Sequence, residues 1–187
     1  MEAFESILMD ALRQDGYWCV GNYRVAWPSL DHKVRAHASK SEPRVEIDVL
    51  AYRPTTDRLY VVECKSFQES GGADLGEVLR PKKGRLRYKL FQIEERWAVV
   101  SGVLRDQLLK AGLIRQDTTI ERGLAFSAIR QTKNVQQDAE AIRAKGWWLI
   151  EPSWIAEQIE HALKSGYVNS EPLVLAKMMR SIPPTHG

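Results

Sequence analysis

Two short apolar strands of this chain carry three acids and a lysine: Glu46-Ile47-Asp48, then, after a turn at Pro54-Thr55-Thr56-Asp57, Leu59-Tyr60-Val61-Val62-Glu63-Cys64-Lys65. Side chains alternate across a strand that rises about 3.3 Å per residue, so Glu63 and Lys65 emerge on one face roughly 6 to 7 Å apart, with Cys64 on the other. Glu46 and Asp48 share a face by the same rule. The run 59–62 is too continuously apolar for a strand with one wet face and suits a central strand covered on both sides. Unpaired charges there would each cost several kcal/mol, whereas a divalent cation between two carboxylates, with a lysine beside them, makes the cluster self-compensating. Mg2+ fits because it prefers oxygen ligands, keeps several waters and needs only one or two protein carboxylates beside substrate phosphate oxygens. The bland alternative is a surface ion pair between Glu63 and Lys65.

Asp48, Glu63 and Lys65 together resemble the PD-(D/E)XK nucleases of the restriction endonuclease-like fold: Asp48 matches the first acid, Glu63 the second and Lys65 the lysine, with a separation that suits a hairpin. Ile47 stands where the family's name has proline. The family also tends to carry a glutamate on its first helix, shortly before a Gly-aromatic turn, and Glu5 followed by Gly16-Tyr17 fits that place. The resemblance implies an α/β fold with a restriction endonuclease-like core, a central mixed β-sheet flanked by helices. It further implies Mg2+-dependent hydrolysis of DNA phosphodiester bonds, leaving a 5′ phosphate, with Mn2+ as a substitute ion.

Helix geometry selects among the N-terminal acids. Phe4, Ile7, Leu8, Ala11 and Leu12 recur at the spacing of a core-facing stripe. At about 100° per residue Glu5 lies roughly 20° beyond Leu12, at the stripe's edge, while Glu2 and Asp10 point further toward solvent. Glu5 is therefore the N-terminal acid aimed at the site, a solvated helix acid being the alternative.

The remaining pattern supplies the elements that must hold these groups. Strands are expected over 17–25, 44–52 and 58–65, with a turn over 54–57. Leu86, Leu90, Ile93, Trp97, Leu104 and Leu108 recur at helical spacing over 85–111, with Gly102 a break and Gly112 a stop. A strand over 123–129, a helix over 135–145 ended by Gly146, a strand over 147–150 and a helix over 153–164 ended by Gly166 complete a β-α-β-α tail, which implies helices on the faces of a parallel or mixed sheet. The order is similar to that of Mrr-like restriction enzymes and archaeal Holliday-junction resolvases. One domain over 1–187 is expected, with a basic helical insertion at about 80–112.

Composition excludes several classes. With 187 residues, 44% hydrophobic and 27% charged, the chain can bury a sizeable core and is neither fibrous nor disordered. Cys19 and Cys64 give neither a disulfide framework nor zinc spacing. No segment reads as a signal peptide or a membrane span, so a cytoplasmic protein is expected. His161 and His186 lack partners at ligand spacing, and Gly71-Gly72 with Gly76 is no phosphate-binding loop because no Gly-Lys-Ser/Thr follows.

Charge is informative locally. Arg80, Lys82, Lys83, Arg85, Arg87 and Lys89 place six cations and no acid in ten residues, a cluster suited to phosphate contacts and counterion release or, more blandly, to a solvated face. Lys33 and Arg35 belong to a second basic region before the first acid strand, and glycine and serine over 66–72 mark a loop after Lys65. Trp147, Trp148 and Trp154 either stack on bases or line core and rim.

In the mechanism these residues imply, Asp48 and Glu63 hold Mg2+, with the backbone carbonyl of Cys64, and Glu5 or Glu46 complete the shell directly or through water. Lys65 orients the attacking water and stabilises charge developing at phosphorus. Cleavage of both strands of a duplex calls for two sites and hence a homodimer. The alternatives are a non-catalytic DNA-binding or protein-interaction module of the same fold, and a nuclease directed at RNA.

Overall fold

The computed structural model describes residues 3–25, 45–66, 72–82, 87–130, 134–164 and 170–181. Lys33, Arg35, Lys83 and Arg85 lie outside them, as do Glu2, residues 67–71, Gly166 and the terminal segment 182–187. In chain order the elements are α1 (Ala3–Gln14), β1 (Trp18–Val25), β2 (Val45–Arg53), β3 (Arg58–Lys65), α2 (Leu75–Leu79), α3 (Lys89–Gln92), α4 (Glu94–Lys110), β4 (Thr119–Phe126), α5 (Val135–Ala144), β5 (Trp148–Ile150), α6 (Pro152–Lys164) and α7 (Glu171–Ser181). The five strands form one sheet in the order β1-β2-β3-β4-β5. The first two pairings are antiparallel and the last two parallel. The protein is thus α/β, with a central mixed sheet flanked by helices. No helix among the described residues is long and apolar enough to cross a membrane.

Period-two alternation divides the sheet's side chains between two cores. Leu50, Val61, Leu124 and Phe126 pack on the side of α2, α4 and α5. Val49, Ala51, Val62, Ala125 and Ile150 pack on the other, against Leu8, Met9, Ala11 and Leu12 of α1 and Ile155 of α6. The segment expected as a basic helical insertion carries α3 and α4. Val100, Leu104 and Leu108 of α4 are completely buried in the first core, and the helix lies on the crossover from β3 to its parallel neighbour β4.

The β2–β3 hairpin turns at Asp57, which adopts φ 49°, a left-handed conformation that Asp tolerates better than most residues. Its carboxylate accepts bonds from Tyr52 Oη at 2.8 Å and Thr118 Oγ1 at 2.7 Å, and its carbonyl accepts the Thr119 N–H at 3.1 Å. One turn residue therefore fixes the hairpin and the start of β4 together.

Alternation fails at one place. Val45 and Ile47 belong to the same core as Leu50, although Val49 and Ala51 belong to the other. On β1, Cys19 faces α1 while Tyr23 and Val25 face away from it. Both slips fall where Asn22 meets Asp48: Gly21 pairs with Val49 and Tyr23 with Ile47, the pair between them is missing, and Asn22 has φ 52°. The two strands thus exchange faces at Asp48.

Several boundaries differ from those expected. The long helical stretch breaks at Ile93, whose extended backbone ends α3 and begins α4, and Gly102 lies inside α4. A mid-helix glycine costs only about 1 kcal/mol, less than α4 gains by burying three apolar residues. Gly112 and Gly146, at φ 68° and 77°, end α4 and α5 as expected. The strand expected over 123–129 begins at Thr119 and ends at Phe126. Two helices went unread: α2, whose Asp74 cap accepts the Glu77 N–H at 3.0 Å, and α7.

Because α4 contributes to the central core, Leu104→Ala should destabilise the whole protein by about 2–5 kcal/mol in a single cooperative urea transition. A change below about 1 kcal/mol, or a separate early transition, would show the segment to be appended.

Candidate active site at the end of β3

β3 keeps its pairing with β4 to its last residue, Glu63 opposite Leu124 and Lys65 opposite Phe126, while its pairing with β2 ends at Val49 and Val62. The sheet therefore opens between β2 and β3 just where Asp48, Glu63 and Lys65 stand. It opens at the carboxyl end of β3, between an antiparallel and a parallel neighbour, the kind of crevice in which α/β sheets bind ligands. Past the last pair, the Cys64 N–H would have no acceptor on β2. Asp48 supplies one: its Oδ2 accepts that N–H at 2.7 Å.

Glu63 and Lys65 lie on one face, as period two requires. Lys65 Nζ is 2.8 Å from Glu63 Oε1, with the two side chains only 20% and 13% exposed. Cys64 turns the other way and packs on the α1 side. Burial pushes the Glu63 carboxyl pKa up, against the opposing pull of Lys65 and, more weakly, Arg96, while Asp48 adds to the rise. Asp48 is raised chiefly by burial too, with the Cys64 hydrogen bond and Lys65 opposing and Glu5 and Glu46 adding. For Lys65, burial lowers the pKa, but the charge and hydrogen bond of Glu63, with Asp48, outweigh it and the net shift is upward. The lysine is accordingly a fixed ammonium near neutral pH.

Glu5 is buried in α1, 5% exposed, close enough for its charge to reach Asp48 and Cys64. The helical-wheel choice of Glu5 thus agrees with its placement. The same wheel put Asp10 toward solvent, but Asp10 is 7% exposed, paired with Arg13 at 3.2 Å and hydrogen-bonded by Ser170 just before α7. Glu46 does not join the cluster. Its carboxylate accepts a bond from Asn22 Nδ2 at 3.0 Å and lies 3.6 Å from Arg24 Nε, both on β1, because the slip at Asp48 separates two side chains that regular alternation would align. Among the described residues no group of three or more His, Cys, Asp and Glu stands close enough to hold a metal. The oxygen donors here are Asp48 and Glu63, with the Cys64 carbonyl between Glu63 and Lys65 in the chain.

The basic run is partly committed within the protein. Arg80 Nη2 binds both oxygens of buried Asp138, at 2.7 and 2.9 Å, and Lys82 Nζ is 3.8 Å from Asp74 Oδ2. Arg87 and Lys89 are half-buried and flank Tyr88, a residue that the cationic pattern around it concealed. Tyr88 is completely buried, its hydroxyl accepts the Asp74 N–H at 3.0 Å, and its ring centre lies 5.6 Å from Lys65 Nζ. Arg96, 4% exposed on α4, is a second cation near Glu63 with no signal in the motif. Of the tryptophans, Trp148 stacks on Tyr17 at 5.2 Å with Tyr60 and Trp154 around it, on the α1 side, so it and Trp154 serve the core and its rim.

The chain matches no family model and no curated protein. Among solved structures, the crystal structure of a protein of unknown function, AF1548, aligns with 95% of this chain and 76% of its own length at 13% identity, with a TM-score of 0.42. A likeness that loose carries no argument, and what the fold defines is an α/β protein with a charged crevice at the carboxyl end of its central strand.

A carboxyl group whose pKa is raised on folding stabilises the folded state below its unfolded pKa, about 3.9 for Asp, and loses that contribution as pH rises through the folded value. Metal-free Asp48→Asn, whose amide oxygen still accepts the Cys64 N–H, should therefore unfold at a higher temperature than the parent protein at pH 7. The difference should close at about pH 3. Scanning calorimetry in EDTA reads both, and identical midpoints at pH 7 would mean that burial of this charge costs nothing.

Proposed function

We propose that this chain is a Mg2+-dependent deoxyribonuclease of the PD-(D/E)XK kind, hydrolysing DNA phosphodiester bonds at the opening between β2 and β3. The observation that carries the reading is the gathering of Asp48, Glu63 and Lys65 there, with the lysine 2.8 Å from Glu63 and Asp48 turned in to the Cys64 amide. The donor set fits the ion: two half-buried carboxylates, each with its pKa raised chiefly by burial, lie at one opening of the sheet, and Mg2+ needs no more than two protein carboxylates when water and phosphate complete its shell. Asp48 and Glu63 would hold it, with the Cys64 backbone carbonyl as the nearest main-chain donor and Glu5 acting through water.

A bound Mg2+ supplies Lewis-acid polarisation of a phosphate oxygen and lowers the pKa of a ligated water. The protein's own groups do the rest. Lys65, held protonated by Glu63, is a hydrogen-bond donor rather than a base: it orients the attacking water and stabilises the charge that grows on the phosphate oxygens. Glu63 fixes the direction of that ammonium, and the Tyr88 ring centre lies 5.6 Å from it. Arg87 and Lys89, on either side of Tyr88 in the chain, are the cations that would contact the strand's neighbouring phosphates. Cutting both strands of a duplex would pair two such sites in a homodimer.

The test is a cleavage panel of plasmid, linear, single-stranded and branched DNA, with RNA as competitor, in Mg2+ or Mn2+. Asp48→Asn, which keeps the bond to the Cys64 N–H, Glu63→Ala and Lys65→Ala should each lower the rate at least about 10²–10³-fold while circular dichroism and DNA retention stay close to those of the parent. Undiminished cleavage by Lys65→Ala would refute the assignment. DNA retention without cleavage by the parent protein in either metal would leave a binding module instead, and preferential RNA cleavage would move the substrate.

A further inference from the structure

A second site stands apart from the β3 carboxylates. Between the first turn of α4, the start of β4 and the turn from α5 into β5 lies a cavity of about 440 Å³ whose walls include Glu94, Trp97, Arg122, Lys145 and Trp147, within the size range of small-molecule pockets. Arg122 is 5% exposed. Its guanidinium carbon lies 4.6 Å from the centre of the Trp97 ring and 5.1 Å from that of Trp147, and Lys145 Nζ lies 5.4 Å from the Trp147 ring. A buried guanidinium needs an anion, and Glu94 provides it, accepting Nη1 at 2.8 Å and a second bond from Nη2. The Glu94 side chain is 71% exposed, and Arg122 Nε is buried without a hydrogen-bond partner among the described residues.

We propose that this cavity binds a phosphorylated nucleotide, its phosphate taking the place of the Glu94 carboxylate on Arg122 and its base lying against the tryptophan wall. Phosphate presents the same two-oxygen edge to a guanidinium fork as a carboxylate does. A mostly solvated glutamate at a helix start can leave once a second anion takes its place on the guanidinium, whereas the arginine is buried against two indoles. Lys145 supplies the second positive charge that a phosphate dianion requires. The other wall acid, Glu121, is engaged with Arg58 at 3.3 Å and does not oppose the ligand on Arg122. Indole surfaces accept any base, so the site is selective for phosphate rather than for base identity.

The site does not rest on the nuclease reading. Arg122 pairs with Val61 and Leu124 with Glu63, so the pocket lies one alternation back along the sheet from the carboxylates and involves none of them. Two sources share its ligand chemistry, a free nucleoside monophosphate and the phosphorylated end of a DNA strand.

Calorimetry and tryptophan fluorescence on the full chain in EDTA, which silences any cleavage, test the proposal with dAMP, dCMP, adenosine and inorganic phosphate, then with one oligonucleotide bearing either a 5′ phosphate or a 5′ hydroxyl. Saturable one-site binding of both monophosphates is expected, with adenosine and phosphate at least about tenfold weaker. Lys145→Ala should weaken monophosphate binding about tenfold and Glu94→Gln should tighten it severalfold, because the competing anion is gone. Tighter binding of the 5′-phosphorylated strand than of dAMP assigns the pocket to DNA ends, and equal or weaker binding assigns it to the free nucleotide. Absence of saturable binding by every probe overturns the proposal. So does binding that ignores both Lys145→Ala and Glu94→Gln, and so does binding lost in Asp48→Asn, which would put the ligand among the β3 carboxylates.

Discussion

The ion pair between Glu63 and Lys65 sets the terms for everything near it. β3 is the middle strand, hydrogen-bonded on both edges and covered on both faces, and a charge on such a strand costs several kcal/mol unless it is paired and hydrogen-bonded. Placing the pair at the last residues of the strand, where β2 has already let go, keeps the charges beside an opening while leaving the apolar run from Leu59 to Val62 dry. That release creates a second debt, because an orphaned backbone N–H costs about 1–3 kcal/mol when buried. Asp48 settles it by accepting from Cys64. The same carboxylate therefore repairs the ladder and lines the crevice, and fold and site cannot be separated at that residue.

The face exchange at Asn22 and Asp48 explains how one short strand serves two cores. Before the exchange, Val45 and Ile47 help cover the α4 side; after it, Val49 and Ala51 seat α1. Asp48 sits at the crossover, able to turn toward β3 because neither face claims it. Glu46, left on the other side of the slip, falls to Arg24 and Asn22 on β1. Asparagine is among the few residues that accept a left-handed backbone without much strain, which accounts for its presence at the point where β1 must turn with β2.

Much of this was legible in the chain because it follows from local rules. The apolar run with its charged end, the turn over 54–57 and the period-two pairing of Glu63 with Lys65 all express short-range geometry, and β3 spans the residues its pattern implied. Glu5 could be chosen from a helical wheel for the same reason. The misses share a different cause, since each depends on a partner distant in sequence. Asp10 is buried because Ser170, 160 positions away, covers it. Arg80 reads as a free cation because nothing near it in sequence announces Asp138, 58 positions away. Tyr88 stands inside a run of cations that gives no sign of a core position, and the slip at Asn22 leaves no mark on hydrophobic periodicity because both faces of the sheet are covered by apolar cores.

A half-buried and a buried cation on the same side of the sheet, Lys65 and Arg122, differ in the exposure of their counter-ions. Lys65 and Arg122 are each held by a glutamate, and each also lies against aromatic rings, Tyr88 in one case and Trp97 with Trp147 in the other. Glu63, 13% exposed, is itself fixed on the central strand, so its pair with Lys65 is permanent and can serve only as a rigid arrangement of charges. Glu94, 71% exposed at the start of a helix, is screened by water although both its oxygens accept from Arg122, so its hold is the one that the proposed phosphate would replace. A fixed pair suits a group that must keep its place through a reaction, and an exchangeable pair suits one that must accept and release a ligand. That contrast follows from where the two carboxylates sit.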